Sequence, residues 1–246
     1  MFTDADAAVL YDLLNPWDPG HQPGDAYYNE LITAADSVLD VGCGTGAMLA
    51  FARDHGHRGR LVGLDPDTAA LDRARRHTGI EWVEGTAAGA AWTAEFELAI
   101  MTGHAFQSLI SDDDLRASLA AVHTALRPGG RFAFETRHPQ ARAWEGWNRS
   151  DPADVVELTH PTGGPLRVWH EVDSVAGDLV TFHGTTARPD GTVLRTDHAT
   201  LRFLDAAALD ALLAEAGFEI DAHYGDWMRG PVTGASREII VVARRP

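Results

Sequence analysis

The chain has 246 residues, 45% of them apolar, enough for one α/β domain that also carries an inserted subdomain. Acidic residues number 36 against 20 basic ones, a net charge of −16, which argues against a nucleic-acid partner because phosphate backbones require a basic face. Every basic residue is arginine, so Schiff-base and phosphate-loop lysines are excluded, and the single cysteine, Cys43, makes neither an intrachain disulfide nor a cysteine metal site alone.

The N-terminus shows no charged-then-apolar leader, and no apolar run approaches a membrane span, so a cytoplasmic protein is expected, with no membrane partner. Residues 4–14 carry a helical stripe of Ala7, Ala8, Leu10, Leu13 and Leu14. Asn15-Pro16-Trp17-Asp18-Pro19-Gly20 breaks it, and a second helix is predicted over 25–35 with Asp25 as its cap. Strands and helices then alternate. Strands are predicted at 37–41, 61–64, 80–83, 97–101 and 131–135, with helices at 45–54, 67–77 and 112–126 between them. Such alternation predicts a doubly wound, mostly parallel sheet of Rossmann-like type. Residues 154–203 contain no convincing helix and read as an antiparallel meander of three or four strands. A helix capped by Asp205 follows, then strands at 218–224 and 238–243 that should pair antiparallel at a sheet edge. The expected whole is one domain over 1–246. Residues 1–35 form a helical lid, 36–136 and 204–246 the binding sheet, and 140–203 an inserted β-rich cap.

The most informative segment is Val38-Leu39-Asp40-Val41-Gly42-Cys43-Gly44-Thr45-Gly46. A strand opens into a glycine turn at a helix N-terminus, the layout of a nucleotide site in an open α/β sheet. Gly42, Gly44 and Ala47 also fit the dinucleotide fingerprint, in which the helix N-terminus holds a pyrophosphate. Asp40 opposes that assignment, because a carboxylate beside diphosphate is repulsive. It suits an ammonium or sulfonium instead, and S-adenosylmethionine carries both and no phosphate. Asp65 ends the second strand, nineteen positions beyond Gly46, placed to accept hydrogen bonds from two ribose hydroxyls. Asp67 is the better-spaced cap for the following helix.

In order, Asp40, the glycine turn, Asp65 and the turn Arg127-Pro128-Gly129-Gly130 resemble class I S-adenosylmethionine-dependent methyltransferases of small-molecule type. The resemblance implies a cofactor site of Asp40, Gly42, Cys43, Gly44, Thr45, Gly46, Asp65, Pro66, Gly85, Thr86, Ala87, Met101, Thr102 and Gly103. Thr86 stands where the family often has an acid for the adenine amino group. The implied activity is methyl transfer to a small molecule, at oxygen, nitrogen or carbon. The alternatives are an NAD(P)-dependent oxidoreductase and a cofactor-binding protein without methyl transfer.

A base is needed only if the acceptor must lose a proton. His104, just past strand four, is the first candidate and His138, just past strand five, the second. Tyr11, Trp17, Tyr28, Trp144 and Trp147 are candidate substrate walls, since aromatic faces suit a cation or a flat acceptor. Arg137 is a candidate clamp for an acidic substrate. No spacing among the 12 histidines points to a metal site, and the oligomeric state is not read from the sequence.

Overall fold

The computed structural model describes residues 2–246. Five parallel strands come first: β1 (Ser37–Val41), β2 (Arg60–Asp65), β3 (Glu81–Glu84), β4 (Phe96–Met101) and β5 (Leu126–Arg137). A separate antiparallel sheet follows, built from β6 (Val156–His160), β7 (Gly164–Ala176), β8 (Leu179–Ala187) and β9 (Val193–Arg202). The chain closes with β10 (Glu219–Tyr224) and β11 (Glu238–Arg244). The large sheet runs β10-β11-β5-β4-β1-β2-β3. Strand order reverses between β1 and β4, and crevice ligands in open α/β sheets bind at such a switch point.

Burial explains the sequence pattern of these strands. Every residue of β1 is buried, as expected where helices cover both faces of a parallel sheet. One face packs Phe132, Phe134 and Leu39 against Leu115, Leu119 and Val122 of α5 (Asp112–Ala125), and against Leu209 and Leu213 of a later helix over Ala206–Glu215. The opposite face packs Val38, Ile100 and Ile240 against Tyr27, Tyr28 and Ile32 of α2 (Pro23–Thr33) and Leu49 of α3 (Ala47–Asp54). Each such fully buried side chain contributes roughly 1.5–3 kcal/mol. Capping sets the helix starts. Ser111 accepts the Asp114 N–H at the head of α5, and Asp67 accepts those of Ala69 and Ala70 at the head of α4 (Thr68–Ala74).

Two details depart from the sequence expectations. The second helix starts at Pro23, a residue suited to the first helical turn, and the Asp25 carboxylate instead accepts the Asp18 N–H at 2.7 Å. The Pro-Gly-Gly segment is an irregularity within β5, whose register against β4 shifts between Phe96 and Leu98. The two closing strands pair antiparallel at the sheet edge as expected, with β10 outermost and β11 between it and β5.

The N-terminal helix α1 (Asp4–Leu14) bridges the two sheets. Leu10 packs with Leu166 and Val168 of β7, and His160 of β6 bonds the Asp6 carbonyl at 3.0 Å. On the other side, Asp12 accepts hydrogen bonds from Thr45 in the glycine turn and from Arg73 on α4. Among the described residues, no helix is long and apolar enough to cross a membrane.

Candidate active site

A cleft of about 670 Å³ opens over the carboxyl ends of β1, β4 and β5. Its floor comprises Asp40, Gly42 to Thr45, Thr102 to His104, Glu135 and Arg137. Its walls are Tyr11 of α1, Trp17, Gly24 and Tyr28 around α2, and Trp227 after β10. The glycine turn shapes the floor. Gly42 has φ +80° and lies so near Ala105 that a Cβ would come within 2.9 Å of that methyl, while a Cβ on Gly46, at φ +78°, would run into the Trp82 ring.

Asp40 is the principal electrostatic feature. It is 1% exposed, and its Oδ1 has no hydrogen-bond partner among the described residues. Burial, then the charges of Asp65 and Glu135, push its pKa well above the usual carboxylate range. A buried polar atom without a partner is costly, so this oxygen is poised for a donor that enters the cleft. Asp65 supports the turn from below. One of its oxygens accepts the Gly44 N–H at 2.7 Å and the other the Asp67 N–H at 2.8 Å. Each oxygen keeps a second acceptor position. Burial raises the Asp65 pKa while these backbone bonds work to lower it. The same burial pushes the Cys43 thiol up, so it is a packed thiol rather than a nucleophile.

A second polar group lies at the β4 and β5 ends. Glu135, 3% exposed, accepts the buried Tyr28 hydroxyl on one oxygen and the His104 backbone N–H, at 2.8 Å, on the other. Burial raises the pKa of both Tyr28 and Glu135, and the phenol keeps its proton and donates a hydrogen bond to the carboxylate. His104 itself has φ +62°, and its Nε2 meets Glu238 Oε2 at 3.0 Å. When Nε2–H donates to that carboxylate, Nδ1 is the nitrogen left to take a proton.

The cleft gathers Asp40, Gly42, Cys43, Gly44, Thr45, Thr102, Gly103, His104, Tyr11, Trp17, Tyr28 and Arg137. Gly46, Asp65 and Met101 back this floor, and Pro66, Gly85, Thr86 and Ala87 follow along the β2 and β3 ends. Three candidates lie elsewhere. His138 is buried and accepts the Gln140 N–H on Nδ1, so it caps a short turn and does not line the cleft. Trp144 packs on Phe203, and Trp147 on Phe182 and Phe203, as part of the join to the small sheet. Trp147 touches the cleft only through Arg137, whose guanidinium lies 5.4 Å from its ring centre. Sequence reasoning passed over Glu135, Glu238, Asp25 and Trp227. Glu135 had a usable signal, an acid ending an apolar parallel strand, as Asp40 and Asp65 do.

The donor set fits S-adenosylmethionine better than a dinucleotide. Asp40, Asp65 and Glu135 put three carboxylates under one crevice, which repels diphosphate and attracts an ammonium or sulfonium. Residues 38–130 match the model of a methyltransferase domain. The chain is 24% identical over 257 residues to the cypemycin N-terminal methyltransferase of Streptomyces sp., covering 98% of this chain and 97% of that protein. It is 28% identical over 197 residues to the 2-phytyl-1,4-naphtoquinone methyltransferase of Thermosynechococcus vestitus, 76% of this chain and 74% of that one. Among solved structures, the CcbJ methyltransferase of Streptomyces caelestis superposes with a TM-score of 0.73 at 19% identity, over 94% of this chain and all of that one. An amino pentose methyltransferase of Micromonospora echinaspora, solved with S-adenosylmethionine bound, gives 0.68 at 22% identity over 96% and 97%.

Proposed function

We propose that this chain, an S-adenosylmethionine-dependent methyltransferase whose residues 38–130 match a methyltransferase domain, methylates an amine nitrogen of a small molecule. The observation that carries this reading is the charge of the cleft. Asp25, Asp40 and Glu135 face it with one cationic side chain, Arg137, and Tyr11, Trp17, Tyr28 and Trp227 supply aromatic faces. Carboxylates with aromatic faces favour a cationic guest over an anionic one. Two similar proteins are named for an amino pentose and for the N-terminus of cypemycin, which fits this reading.

Asp40 and the glycine turn would hold the amino-acid end of the cofactor, and Asp65 the ribose. When bound, S-adenosylmethionine supplies a methyl group already activated on a sulfonium sulfur. The protein's task is then positioning and proton removal. An ammonium acceptor must lose one proton before its lone pair can form the new C–N bond. His104 takes that proton on Nδ1, and Glu238 stabilises the resulting imidazolium through Nε2–H. The helices that wall the cleft exclude water and hold the acceptor in line, an effect worth up to about 7–11 kcal/mol.

The test is methyl transfer from labelled S-adenosylmethionine to amino sugars and short peptides, each matched with the hydroxyl analogue of the same skeleton. Mass spectrometry should find one added methyl on the amines. Preferential methylation of the hydroxyl analogues would overturn the amine assignment.

A further inference from the structure

We propose that the exposed face of the small sheet carries a metal site, in which Asp173, His183 and His198 bind a borderline dication of the zinc class. The three residues come from three neighbouring strands, β7, β8 and β9. His183 pairs directly across from His198, and its other cross-strand partner is Glu171. Asp173 is the extra residue of a β-bulge, because the register jumps from Val172 opposite Phe182 to Ser174 opposite Thr181. Bulges re-aim side chains, and this one leaves the Asp173 carboxylate between the two rings. Its Oδ1 lies 2.7 Å from His183 Nδ1 and its Oδ2 lies 3.5 Å from His198 Nδ1.

One ligand atom from each residue falls within 4.8 Å of the other two. A tetrahedral ion with bonds of about 2.0–2.2 Å holds its ligand atoms about 3.3–3.6 Å apart. Small side-chain rotations therefore close the set, with no movement of the sheet. Two imidazoles and one carboxylate, with no thiolate, select zinc, cobalt, nickel or copper over calcium or magnesium. Metal-bound histidines usually give their other ring nitrogen to a carboxylate. Here Glu171 Oε2 stands 3.7 Å from His183 Nε2 and is itself held by the Trp169 indole N–H at 3.0 Å. The ion would clasp β7, β8 and β9 together and keep its fourth position open to water.

Cobalt(II) titration of the full chain tests this, since tetrahedral cobalt absorbs strongly in the visible region, with calorimetry using zinc alone as the second measurement. One equivalent should bind, and His198→Ala and Asp173→Asn should each weaken binding at least tenfold. His198 has 68% of its side-chain surface exposed, so its replacement leaves packing intact, and circular dichroism checks the fold of both variants. No binding at millimolar metal, or equal binding by wild type and both variants, would overturn the proposal.

Discussion

Replacing Asp40 by asparagine should move cofactor affinity and protein stability in opposite directions. Asp40→Asn keeps the shape of a buried side chain whose Oδ1 has no partner among the described residues. It removes the charge and exchanges one acceptor oxygen for an NH2 donor. A hydrogen bond involving a charged group is worth about 1.5–3 kcal/mol, so S-adenosylhomocysteine, which keeps the ammonium, should bind roughly 10- to 150-fold more weakly. Stability of the ligand-free protein should rise. The Asp40 pKa is raised in the fold, chiefly by burial and then by Asp65 and Glu135, above the ordinary aspartate value of about 3.9. From about that pH upward, the native state holds the proton more tightly than the unfolded chain. Stability from this group therefore falls as pH rises towards the folded pKa. The variant lacks that loss, so its advantage should be absent near pH 4 and grow as pH rises towards the folded pKa. Calorimetry with S-adenosylhomocysteine, and thermal melts of ligand-free protein across the pH series, give both readings. Unchanged affinity together with lower stability at every pH would show that Asp40 is paired and structural, and would refute the reasoning.

Asp65→Ala should weaken S-adenosylhomocysteine at least tenfold in calorimetry. It should also lower the melting temperature, because the Gly44 and Asp67 N–H groups lose their acceptor and each such loss costs about 1–3 kcal/mol. His104→Ala should lower kcat about a hundredfold or more with S-adenosylhomocysteine affinity unchanged, since a positioned base contributes about 10²–10⁴. Glu238→Gln keeps the hydrogen bond to His104 and removes the charge, so kcat should fall by a smaller factor with KM little altered. Equal losses in affinity and kcat for both variants would reduce the pair to packing.

The strand-end half of the cleft was legible because its signals are local. Asp40, the glycine turn and Asp65 sit at strand ends, where the chain must turn and where parallel sheets present their crevice. The same logic applied to strand five would have found Glu135. Trp144, Trp147 and His138 also follow strand five, yet that loop runs away from the cleft to join the small sheet. Proximity in sequence to a strand end does not fix the direction of the loop beyond it.

Local periodicity, capping and turn chemistry thus determined the strand and helix order, the doubly wound sheet and the acidic glycine turn. They act over a few residues, and the chain expresses them without reference to its distant parts. Only the tertiary structure decided that β11 slots between β5 and β10, which carries Glu238 to His104 across 134 positions. It alone brought Asp173, His183 and His198 onto one face, through a bulge and two strand registers. Such pairings are set by packing between segments far apart in sequence, and a one-residue slip of register would turn the same side chains to the opposite face.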